Sequence, residues 1–166
     1  PSPNILLSPD MLEEYNKKTG KFFFNAFYMW SKRKLGIIPG IKSQDKMNRM
    51  RMPANIKILQ PFSTSDNNSA KYISDAKKYI LRHFNNNYGD CDNFIFPVTH
   101  QGASEWLDHF ITYKFKNFGP YQDFIHKDNQ YLYHSLLSSL INIGLLCPMD
   151  VLNSLSKVKN KIPLNS

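Results

Sequence analysis

The sequence predicts a mostly α-helical chain. Three observations carry that expectation: apolar residues recur at helical spacing over much of the chain, residues that suit helix ends flank those stretches, and no segment alternates with the two-residue period of a strand. Ser8 followed by Pro9 makes a cap and a first-turn proline, and Gly20 is a stop, so residues 9–19 read as a short helix. Phe23, Phe27 and Trp30 mark a second helix over 21–35. Its terminal Lys32-Arg33-Lys34 suits the negative end of the helix dipole, and Gly36 closes it. From Ile37 to Ser69 the prolines 39, 53 and 61 and Gly40 break any period, which reads as a long linker or ordered loop. Tyr72, Ile73, Ala76, Tyr79 and Ile80 mark a third helix to about Phe84, and the Asn- and Gly-rich run Asn85 to Asp92 reads as a surface loop. Ala103, Trp106, Leu107, Phe110 and Ile111 predict a helix from about Gln101 to Lys116. Leu132, Leu136, Leu137, Leu140 and Ile141 predict another, stopped by Gly144, and Pro148 opens a last one with Val151, Leu152, Leu155 and Val158.

With 166 residues, 42% of them hydrophobic and 14% aromatic, the chain can bury a core and is not of disordered composition. Its apolar runs fall short of the ~18 to 20 residues a membrane span needs. No basic-then-apolar leader opens it, so a cytoplasmic address without a membrane partner is expected. It also lacks an initiator Met, and the expectation is of an internal piece of a longer reading frame. The net charge of +8 is concentrated: residues 17–57 hold eleven Lys or Arg against one acid, Asp45, a local +10 that leaves −2 for the remainder. A block of this kind attracts polyanions, nucleic acid above all; the alternative is a solvated basic surface with no partner.

Several reaction classes lack their signatures. There is no GxGxxG, Walker loop, HExxH or GxSxG. The spacings of His100, His109, His126 and His134 fit no standard metal set, and Cys91 and Cys147 stand too far apart to form a CxxC pair. Ser135 and Cys147 have no local activating base. One segment is chemically suggestive. His134-Ser135-Leu136-Leu137-Ser138-Ser139 places hydroxyls and an imidazole at what reads as the opening turns of an apolar helix, where N–H donors favour a phosphate. Ser135 and Ser138, three apart, would then share one face; ordinary helix capping by serine is the alternative.

That segment, preceded by Phe118-Gly119-Pro120-Tyr121-Gln122-Asp123 and extended through Leu140-Ile141-Asn142-Ile143-Gly144, resembles the deoxyribodipyrimidine photolyase-related proteins, the iron–sulfur bacterial cryptochrome and (6-4) photolyase-like group. Pro97-Val98-Thr99-His100 before the Trp106-Leu107 helix, Phe27-Tyr28 running into Arg33-Lys34, and Asp45 with Asn48-Arg49 also fit, in order along the chain. The resemblance implies the interdomain connection, residues 1–68, followed by the first helices of a helical FAD-binding domain, residues 69–166, truncated. It implies a cradle for the FAD phosphates in which Ser135, Leu137 and Ser138 match the family pattern Thr-Ser-x-Leu-Ser-Pro, while His134 and Ser139 depart from it. Leu136 lies within the cradle, Asn142 one turn along would help seat the flavin, and Tyr121 and Asp123 are weaker candidates whose alternative is helix start and packing. Lys42, Arg49 and Arg51 would face DNA phosphates or bind acidic neighbours across the domain junction.

The implied parent is a monomeric DNA photolyase, a lyase that reverses cyclobutane pyrimidine dimers or (6-4) photoproducts in damaged DNA by electron transfer from reduced FAD. None of the residues here would be catalytic in its own right. An iron–sulfur cluster and an antenna chromophore are implied for the parent, with their sites outside this chain. A cryptochrome-like blue-light photoreceptor without repair, and a basic helical nucleic-acid-binding module, are the alternatives. The isolated chain is expected to be inactive and to expose apolar faces.

Overall fold

The computed structural model describes residues 5–37, 44–63 and 67–158. Among these the chain is mostly helical and holds no strand, only an isolated bridge between His126 and Asn129. Helix α1 spans Pro9–Thr19 as its ends dictate: Ser8 Oγ accepts from Met11 N at 3.3 Å, and Gly20 takes the left-handed conformation, φ 60°. Helix α2, Phe24–Lys34, begins later than its aromatic run suggests, because Phe23 is extended at φ −113°. The two helices close over Tyr15, 2% exposed, whose ring meets Phe22, Phe27 and Trp30 at centroid distances of 5.8, 5.1 and 5.3 Å. Lys34 Nζ reaches Glu14 at 2.7 Å across the pair.

Beyond a short 3-10 turn at Asp45–Asn48, the described part of the connecting segment is irregular, as its prolines require. It is nonetheless tightly attached. Met50 N donates to Pro120 O at 3.0 Å, Asp123 N to Asn48 O at 3.2 Å, and Asn48 Nδ2 to Gln122 Oε1 at 2.8 Å. Further along, Met52 packs with Leu132 and Tyr133 over Ile56, Ile58, Tyr121 and Phe124, and Tyr133 OH donates to Lys57 O at 2.7 Å. The segment is thus a strap laid over the turns that precede the candidate phosphate segment.

Helix α3, Asn67–His83, leaves Tyr72, Tyr79 and Leu81 exposed. The main core forms on α4, His100–His109, opened by Thr99, whose Oγ1 accepts from Gly102 N at 3.1 Å. Where the sequence predicts one helix to Lys116, α4 passes through a π-helical stretch, Phe110–Lys114, into α5, Phe115–Phe118. Ala103, Trp106, Leu107, Phe110 and Phe115 are buried here with Leu137, Leu140 and Leu146. Helix α7, Pro148–Ser156, starts at the proline the sequence marks; Cys147 N donates to Asp150 Oδ2 at 2.8 Å, and Val151 and Leu155 pack on the core.

The predicted helix through Leu132 and Leu136 is corrected. The observed helix α6 is only Ser138–Asn142. Leu132 and Leu136 have left-handed backbones, φ 42° and 56°, so no helix can run through them. Gly144 does end the element, at φ 77°.

Candidate functional site: the 131–138 segment

The segment before α6 is held by four clamps. Asn129 Oδ1 accepts from the backbone N–H groups of Tyr131 and Leu132 at 3.0 and 2.7 Å, giving the chain a local alternative to helical bonding. The buried Lys114 ammonium donates to Leu132 O at 3.2 Å, and Trp106 Nε1 donates to Ser135 O at 2.9 Å. Ser135 Oγ lies 3.4 Å from Leu137 N, a serine turn that leads into α6. Left-handed backbone in a bulky residue is uncommon and costs of order 1 to 3 kcal/mol, so it persists only where such contacts impose it. Leu136 falls inside the segment that the family resemblance singles out, and Leu132 lies two residues before it.

The site residues take different places. His134, Ser135 and Leu136 are half-buried and line a narrow cleft with Pro61, Phe62, His109 and Lys114. Leu137 is in the core at 6% exposure, so its contribution to a ligand would come from its main chain. Ser138 is exposed and opens α6; Asn142 is exposed and ends it. Ser135 and Ser138 therefore do not share a helical face, since Ser135 precedes the helix. A helix of five residues also has too little dipole to be a phosphate site by itself. What remains is a set of donors: the Ser138 hydroxyl and the N–H groups of Ser138 and Ser139, which find no acceptor among the described residues. Ser139 Oγ is buried without a partner. Such a donor set fits the phosphates of a dinucleotide.

Tyr121 packs against Tyr133 with ring centroids 5.9 Å apart. Asp123 is bound by Arg49, Nε to Oδ2 at 3.0 Å, and Arg49 also reaches Asp45 at 3.3 Å. Arg49 thus has an acidic neighbour on either side. Arg51 is exposed, and Lys42 lies outside the described residues.

Three groups that composition and spacing do not single out belong to this neighbourhood. Trp106 reads from sequence only as a core aromatic. His109 stacks on Phe62 at 4.8 Å, and burial, then the charge of Lys114, lowers its pKa from the usual 6.5. Lys114 is 3% exposed, and burial holds its pKa below the usual lysine value. Its signal is visible in retrospect: position 114 falls on the apolar stripe of 103, 107 and 110, where a lysine is out of place. Among the described residues no cluster of His, Cys, Asp and Glu could hold a metal ion, and no helix is long and apolar enough to cross a membrane.

Comparison with known proteins agrees with the motif series. The family model described as "Deoxyribodipyrimidine photo-lyase-related protein" matches residues 1–96, more than half of the chain. A protein of Agrobacterium fabrum named (6-4) photolyase is 33% identical over 151 residues, which is 84% of this chain. The chain spans 29% of that relative's length. With the family match, this identity over the shared span means that the chain belongs to the deoxyribodipyrimidine photolyase-related family.

Proposed function

We propose that this chain is the connecting segment, residues 1–68, and the first part of the helical FAD-binding domain, residues 69–166, of a cytoplasmic light-dependent DNA repair enzyme. The observation that carries the reading is the 131–138 segment: a strained backbone, fixed by long-range hydrogen bonds, leading to unpaired N–H donors and an exposed serine hydroxyl. Strain maintained at one site suggests use at that site. The family membership supplies the ligand class, and the relative's name supplies the lesion chemistry.

In this reading Ser135, Ser138 and the N–H groups of Ser138 and Ser139 hold the FAD phosphates, with His134, Leu136 and Leu137 lining the segment beside them and Asn142 a turn away. Bound and reduced, FAD supplies the electron that light drives into a damaged base pair step. Residues of this chain orient the cofactor; none of them exchanges a proton or an electron with the lesion. Tyr121 and Asp123 support the segment through the strap. Lys42 and the exposed Arg51 meet DNA phosphates in this reading, whereas Arg49 serves the domain junction.

Two measurements test this. Full-length protein purified in the dark has a flavin absorption band, and Ser135→Asp, which sets a carboxylate against the phosphates, lowers flavin occupancy severalfold. A colourless folded protein refutes the flavin reading; unchanged occupancy in Ser135→Asp removes Ser135 from the site. Light-dependent repair of oligonucleotides carrying (6-4) photoproducts or cyclobutane dimers separates an enzyme from a photoreceptor of the same family.

A further inference from the structure

Lys114 is the one charged side chain buried among the described residues. It sits at the end of the π-helical stretch, one helical turn after Phe110 and next to Phe115, with both rings buried beside it. Its ammonium donates to Leu132 O at 3.2 Å. No carboxylate pairs with it: the ion pairs of the described residues all lie elsewhere, and burial alone accounts for its lowered pKa. A buried cation without an anion is costly, and a hydrogen bond to one carbonyl does not require a charge. The cleft that Lys114 lines leads to His134, Ser135 and Leu136, and an anion at that segment would offset the buried charge.

We propose that Lys114 is the buried counter-charge of the diphosphate bound at the 134–138 segment, and the residue that sets the backbone of that segment to receive it. The inference rests on the reading of the segment as a phosphate site. The cleft has room for about one water molecule, not for a phosphate. Lys114 is accordingly a positioning residue: it acts through Leu132 O and through its field, which apolar neighbours screen weakly. The π-helical stretch places it, and the left-handed Leu132 turns the carbonyl to meet it. Without ligand the ammonium is uncompensated and strained towards neutrality. With the diphosphate in place the charges offset each other, so the protein binds the phosphorylated cofactor in preference to its dephosphorylated form.

The test uses full-length protein stripped of flavin and titrated with FAD and with riboflavin, which carries the ring but no phosphate. Lys114→Gln removes the charge while leaving a polar N–H end; Lys114→Arg keeps the charge. Lys114→Gln is expected to weaken FAD about tenfold or more while leaving riboflavin unchanged, with Lys114→Arg close to the starting protein. Equal FAD affinity in Lys114→Gln overturns the proposal, as does an equal loss for FAD and riboflavin. Failure of Lys114→Gln and Lys114→Met to fold without flavin assigns Lys114 to the scaffold and overturns it too. If the starting protein binds neither compound, the phosphate site itself is refuted, an outcome distinct from all of these.

Discussion

Replacing Trp106 with Phe tests whether the core holds the candidate phosphate segment in its strained form. Trp106 is 3% exposed and its Nε1 donates to Ser135 O at 2.9 Å, while its ring stacks near Phe96 at 5.8 Å. Phenylalanine keeps an aromatic ring in the core but removes the donor. Stranding a partly buried carbonyl costs about 1 to 3 kcal/mol. The smaller ring leaves a void worth roughly a further 1 kcal/mol. The expected loss is thus about 2 to 4 kcal/mol, a large share of the roughly 5 to 15 kcal/mol that holds a domain together. Urea unfolding followed by far-ultraviolet circular dichroism measures it. Stability alone does not show that the segment is concerned, so Leu146→Ala serves as control: Leu146 is 5% exposed in the same cluster and has no bond to the segment beyond α6. Its truncation costs a comparable ~2 to 5 kcal/mol. At matched temperature, Trp106→Phe should release flavin from the full-length protein more readily than Leu146→Ala. Equal flavin retention in the two variants, or a loss below about 1 kcal/mol for Trp106→Phe, would refute the coupling of core to segment.

His109 gives a pH dependence. Its folded pKa lies below 6.5, through burial first and the Lys114 charge second, so the unfolded chain binds more protons between the folded value and 6.5. Stability contributed by neutral His109 is present above pH 6.5 and lost as pH falls through the folded pKa; His109→Gln should flatten that acid limb in melting temperatures taken across pH 5 to 7. Arg49→Ala removes ion pairs to Asp45 and Asp123, but the Arg49 side chain is 66% exposed, so the expected cost is below about 1 kcal/mol, measured by denaturant midpoint and shrinking further in high salt.

Local signals carried as far as local physics governs. Ser8, Pro9 and Gly20 mark the limits of α1, and Pro148 marks the start of α7, because a cap, a fixed φ and a left-handed stop act on their own neighbours. The leucine spacing 132, 136, 137, 140, 141 imitates a helix, yet the carbonyls it would use are taken by Lys114 and Trp106, residues 18 and 29 positions away. Nothing in the spacing announces those partners. The π-helical stretch at Phe110–Lys114 is equally silent, and so is the strap, whose Asn48–Gln122 bond spans 74 positions. At the candidate site, the hydroxyl-rich composition of 134–139 is legible in the sequence; the geometry of the segment, and the buried Lys114 bonded to Leu132 O, depend on tertiary contacts.

The strap also has a bearing on when the site comes into being. Helices α1 and α2 meet through neighbours close in sequence, and such contacts form early. Asn48 with Gln122, Arg49 with Asp123 and Lys57 with Tyr133 each close a loop of more than seventy residues, for which the chain entropy must be spent before any contact returns it. Leu132 and Tyr133 belong to that late-closing cluster and lead directly into the candidate phosphate segment. Folding therefore has an order: a chain still emerging or still searching has its helices before the strap fixes the turns ahead of the 134–138 segment.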